Sequence, residues 1–147
     1  MLNTNLSNNS ANSVSFGYGK GTRELIKQVY PYCALTGKKY GGGPLAITTD
    51  HILSHHYNKM SKDSNYLFIN QETNIEKKCT GLRKIIYKNP GYINNLANYF
   101  DYLLNSNNSK AQRYAKSALD TVLRELSGIN SNLADRKIKV RLKDLEQ

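Results

Sequence analysis

The sequence predicts an α+β fold on three observations. A short β-branched run, Ile47-Thr48-Thr49, leads into Asp50-His51-Ile52-Leu53 and reads as a strand. A second apolar run, Asn65-Tyr66-Leu67-Phe68-Ile69, follows a turn-like stretch over 54–64 and reads as its partner. On either side the apolar spacing is helical, most clearly in two long stripes of the C-terminal half.

Residues 1–19 are rich in Asn, Ser and Gly and poor in large apolar side chains, a composition that cannot offset its own ordering entropy. They are expected to form a disordered tail. It runs into Phe16-Gly17-Tyr18-Gly19-Lys20-Gly21, read as a linker, with stacking on nucleic acid as the alternative. Thr22 is placed to cap a short helix through Tyr30, with Leu25, Ile26 and Val29 on one face and Pro31 as its stop. Cys33-Ala34-Leu35-Thr36-Gly37 and a glycine-rich turn over Lys38–Pro44 follow, and Ala46–Thr49 is the expected first strand.

After the second strand the pattern from Gln71 is helical. Asn74, Lys77, Lys78 and Gly81 recur at three- and four-residue spacing, which predicts one shared face. Residues 77–88 carry Lys77, Lys78, Arg83, Lys84 and Lys88 with no acid among them, a run suited to a phosphodiester backbone. Asn89-Pro90-Gly91 is the clearest internal boundary. Beyond it Tyr92, Ile93, Leu96, Tyr99, Phe100, Leu103 and Leu104 trace one helical stripe, and Asn105–Asn108 break it. Ser109 is placed to cap a second, whose Ala115, Ala118, Leu119, Val122, Leu123 and Leu126 end before Gly128. Both stripes read as core or dimer surface. Asn130–Gln147, with Arg136, Lys137, Lys139, Arg141 and Lys143, reads as a basic helix on DNA or across a dimer.

The chemistry concentrates at the strand ends. Thirteen residues lie between His51 and Asn65 and eight between Asn65 and Asn74. A carboxylate and an amide oxygen are donors of the kind Mg²⁺ takes, and Asp50 and Asn74 carry them. Imidazole is the side chain suited to proton transfer near neutral pH, which makes His51 the candidate base. Successive strand residues face opposite ways, so Asp50 and His51 share a site only if the strand breaks between them. Asn65 is expected to tie the loop to backbone groups rather than touch substrate. His55 and His56, in the same loop as Lys59 and Lys62, are read as without a fixed role, or else as phosphate or metal contacts.

Over residues 30–82 this layout of strand, loop, strand and helix resembles the HNH (ββα-metal) endonuclease family. The three name residues fall on His51, Asn65 and Asn74, with Lys77 one turn further on. The resemblance implies a ββα-metal core at 20–89 with a helical C-terminal extension at 90–147. It implies a DNA endonuclease of phage or mobile-element type, in a bacterial host's cytoplasm, dependent on Mg²⁺ or Mn²⁺. His51, Asn65 and Asn74 would be its catalytic residues, Asp50 and Asn74 its metal ligands, and Lys77, Lys78, Arg83 and Lys84 its nucleic-acid contacts. Two departures stand out. Many members carry Pro where this chain has Ser54. Many also hold a structural zinc through two Cys-x-x-Cys pairs, whereas here Cys33 is followed by Thr36 and Cys79 by Leu82. Two cysteines cannot complete a four-ligand site, so a variant without structural zinc is expected.

The formal net charge of +10 suits a polyanionic partner. The polar N-terminus does not read as a secretory signal, no apolar run suits a membrane span, and both cysteines are expected as reduced thiols. A homodimer through the C-terminal helices is a further expectation. Two rival readings remain: a non-catalytic basic nucleic-acid-binding protein and, within nucleases, a junction-resolving recombination endonuclease.

Overall fold

A computed structural model describes residues 19–53, 63–77 and 81–126. The expected tail, the loop histidines His55 and His56, Lys78, Cys79 and the basic segment 130–147 lie outside these residues. Among the described residues five α-helices pack with one two-stranded antiparallel sheet, in agreement with the α+β expectation.

Helix α1 spans Lys20–Val29 and fully buries Ile26. It starts two residues before the expected cap at Thr22. The cap position is Gly19, with φ 64°, and a Cβ there would lie 2.8 Å from the Tyr66 ring. Only glycine satisfies both the left-handed backbone and that close approach. Pro31 ends the helix as expected, after Tyr30 N–H closes onto the Ile26 carbonyl.

The Cys33–Gly37 turn docks on the sheet. Gly37 closes it at φ 73°, its N–H on the Cys33 carbonyl. Ala34 N–H donates to the Phe68 carbonyl, and the buried Cys33 Sγ accepts from the amides of Thr36 and Asn70 at 3.5 and 3.4 Å. The thiol therefore serves as an acceptor in the core.

Strand β1 is Ile47–His51 and β2 is Tyr66–Asn70, in the register Thr48↔Ile69, Asp50↔Leu67 and His51↔Tyr66. β1 runs two residues further than the expected Ala46–Thr49. All five residues of β2 are buried, whereas those of β1 are half-buried. Asn70 ends β2 and also caps the next helix, its Oδ1 accepting from Thr73 N–H at 2.9 Å. That helix, α2, spans Gln71–Lys77, and α3 starts separately at Gly81, where φ is 78°. The expected common face of Asn74, Lys77, Lys78 and Gly81 is thereby interrupted. Gly81 opens a new helix instead of extending the old one.

α4 spans Tyr92–Leu104 and α5 spans Ser109–Leu126. Asn108 caps α5 through Ala111 N–H at 3.0 Å, and the expected cap Ser109 is its first helical residue. Both apolar stripes pack into one core with the hairpin. The Tyr114 hydroxyl donates to the Tyr66 carbonyl at 2.8 Å and meets the Tyr99 hydroxyl at 2.7 Å, joining α5, β2 and α4. No helix among the described residues is long and apolar enough to cross a membrane.

Candidate functional site

The hairpin end is fixed by Asn65, which is fully buried. Its Oδ1 accepts from Leu53 N–H at 2.9 Å, its Nδ2 donates to the Leu53 carbonyl at 3.4 Å, and its own carbonyl accepts from Ile52 N–H. A single side chain thus clamps the backbone that leaves Asp50-His51. The expected tie to backbone groups is present. Asn65→Ala would leave the Leu53 N–H and carbonyl without this partner in a half-buried setting, at a cost of about 1 kcal/mol or more. Chemical denaturation should register that loss, and an unchanged unfolding free energy would contradict the clamp.

Asp50 and His51 leave β1 on opposite sides. His51 pairs with Tyr66 on the last rung of the sheet, their rings meeting edge to face with centroids 5.6 Å apart. Asp50 points toward α2. The strand break that would have let both side chains share one pocket is absent, because cross-strand pairing keeps the pleat through His51.

On the α2 side, helix and strand meet at matched intervals. Asn74 Nδ2 donates to Thr48 Oγ1 at 3.0 Å, and one turn on Lys77 Nζ pairs with Asp50 Oδ2 at 2.6 Å. The ammonium also donates to the His51 carbonyl at 3.2 Å. Lys77, expected to face phosphate, is turned inward; its side chain is 5% exposed and that of Asp50 12%. The cause is electrostatic: a buried carboxylate needs a cation, and Lys77 is within reach. Burial pushes the Asp50 carboxyl above the usual carboxylate range, while the ammonium and the His51 amide pull it back down. Asp50, expected as a metal ligand, is therefore largely buried rather than open to solvent.

The donor types suit Mg²⁺ or Mn²⁺. Asn74 commits its amide nitrogen to Thr48, and among the described residues no donor meets its Oδ1. Asp50 supplies the carboxylate, already neutralised by an ammonium. No three His, Cys, Asp or Glu side chains cluster among the described residues.

The other expected nucleic-acid contacts sit on α3. Lys84 is exposed, and Arg83 donates through Nε to the Glu125 carbonyl at 2.8 Å, holding α3 to the end of α5. A second basic feature was not foreseen. An open groove of about 610 Å³ between α1 and α5 is lined by Lys110, Arg113, Thr22, Leu25 and Tyr114, with no acid on its walls. Tyr114 links it to the Tyr66 carbonyl and so to the side of the hairpin that carries the His51 ring. The three-residue spacing of Lys110 and Arg113 was the sequence signal, but it carries no motif. Comparison of the chain with protein-family models, curated proteins and solved structures finds no match.

Proposed function

We propose that this protein is an HNH-like endonuclease that hydrolyses DNA phosphodiester bonds with the aid of Mg²⁺ or Mn²⁺. The observation that carries the reading is the Asn65 clamp on Leu53. It holds the end of β1, where Asp50 and His51 meet Lys77 from the last turn of α2, with Asn74 one turn back beside Thr48. The pleat keeps the His51 imidazole and the oxygens of Asp50 and Asn74 on opposite faces of β1, so they do not share one pocket, and both would reach a phosphodiester only where it passes over the hairpin end. His51 would take the proton of the attacking water. Asp50 and Asn74 Oδ1 would hold the cation, which when bound neutralises charge on the phosphate and its leaving oxygen. The test is plasmid nicking in Mg²⁺ or Mn²⁺ against EDTA. Intact plasmid under all three conditions, with DNA binding retained, would overturn the nuclease reading.

One observation favours the non-catalytic reading instead: Lys77 already neutralises Asp50. In that case the protein is a basic DNA-binding module and the Asp50–His51 sequence is incidental. Junction resolution is a narrower form of the nuclease reading, and a homodimer would have to use surfaces other than the apolar stripes of α4 and α5.

Affinity in either case would come from Lys84, Arg113 and Lys110, together with the basic C-terminal segment. Removing one phosphate-binding cation should flatten the dependence of log binding constant on log salt by about 0.9 on duplex DNA. Lys110→Glu with Arg113→Glu should therefore flatten the slope by about twice that amount, read by fluorescence anisotropy across a salt series. A slope equal to wild type would remove the groove from the DNA path.

A further inference from the structure

We propose that the Lys77 ammonium is the resident cation of the candidate metal site, and that a divalent ion enters only by displacing it from Asp50. The inference rests on the reading of Asp50 as a metal ligand. Lys77 Nζ is 2.6 Å from Asp50 Oδ2 and 3.2 Å from the His51 carbonyl, so it binds two oxygens at the end of β1. Both of these oxygens are of the type a hard divalent cation selects. An ammonium and a divalent ion on one buried carboxylate would repel each other at close range in a medium that screens poorly.

The chain also provides a way for the ammonium to leave. Lysine carries its charge on a flexible four-carbon stem with three rotatable donors. Lys77 is the last residue of α2. Rotation about that stem would move the charge off Asp50 without moving the backbone. Asn74 would stay in place through its bond to Thr48, whose hydroxyl is itself tied to the Ile69 carbonyl. Half of the ligand set is therefore preorganised, and the other half is held closed by an internal competitor. Without the ion, Lys77 keeps the buried carboxylate neutralised and the hairpin end intact. With it, the freed ammonium becomes an extra cation beside the bound phosphate.

Mn²⁺ serves as the probe, with free ion read by its electron paramagnetic resonance signal. Lys77→Met keeps the stem and removes the charge, and it should bind Mn²⁺ at least about tenfold more tightly than wild type. Asp50→Asn should lose binding. Because Lys77→Met leaves a buried carboxylate unpaired and could fail to fold, a second measurement uses the wild-type chain. The rate of acetylation at Lys77, followed by mass spectrometry, should rise severalfold on saturation with Mn²⁺ while the other lysines keep their rates. If wild type binds Mn²⁺ through Asp50 but Lys77→Met binds no more tightly, or Lys77 acetylation does not change, the displacement is wrong and the metal reading stands. If neither wild type nor folded Lys77→Met binds Mn²⁺, the metal reading falls and takes this inference with it.

Discussion

His51→Ala should bind DNA as wild type does and cleave it at least about a hundredfold more slowly, the lower end of what a general base contributes. The substitution is a clean probe because of how the hairpin end is held. Lys77 bonds to the carbonyl of His51, not to its ring, and Asn65 bonds to the backbone of Leu53. Truncation at Cβ therefore removes the imidazole and its edge-to-face packing on Tyr66 while leaving the clamp and the ion pair in place. Single-turnover nicking of plasmid in Mg²⁺ isolates the chemical step, and anisotropy in EDTA measures binding without it. A His51→Ala protein that nicks at the wild-type rate would end the enzyme reading, and the basic DNA-binding module would take its place.

What could be read from the sequence, and what could not, divides along physical lines. The two strands and the stripes of α4 and α5 were legible because burial on a regular element imposes a period on the apolar residues. Asn65 was legible as a loop tie because a short amide beside a turn has few better uses than backbone groups. The ends of elements were read less well. Asn70 closes a strand and caps a helix at once, and the strand pattern concealed the second role. Asn108 and Ser109 are both good caps, and sequence alone does not rank neighbours of equal propensity. The inward turn of Lys77 was hidden for another reason. Lys77-Lys78 reads as one basic surface until the fold brings a buried carboxylate from a strand 27 residues earlier beneath the first of them. The side on which His51 falls depends on how far β1 continues, and the two-residue extension of the strand reverses the expectation. Of the candidate site, the residue identities were visible beforehand; their pairing was not.

That pairing makes a second large effect measurable. Asp50→Asn and Lys77→Met should each destabilise the protein by about 3–5 kcal/mol in metal-free buffer, because each leaves the partner's charge buried and uncompensated. The double variant should cost less than the sum of the two, with a coupling energy of about 2 kcal/mol. The pH dependence follows from the direction of the Asp50 shift. Burial raises its carboxyl above the usual range, so the folded protein holds that proton more tightly than the unfolded chain does. Asp50's own protonation therefore contributes stability that is fully present below the unfolded value and is lost as pH rises through the folded one. The coupling to Lys77 has the opposite sense, since only the carboxylate attracts the ammonium. It should grow as pH rises through the folded value and fade as pH falls through the interval from there toward the unfolded one. Urea unfolding of the four proteins, at neutral pH and again in that interval, measures both trends at once. Additive single substitutions at neutral pH, with coupling under about 0.5 kcal/mol, would mean that the 2.6 Å ion pair contributes nothing to the fold. Asp50 would then be open to a cation without competition.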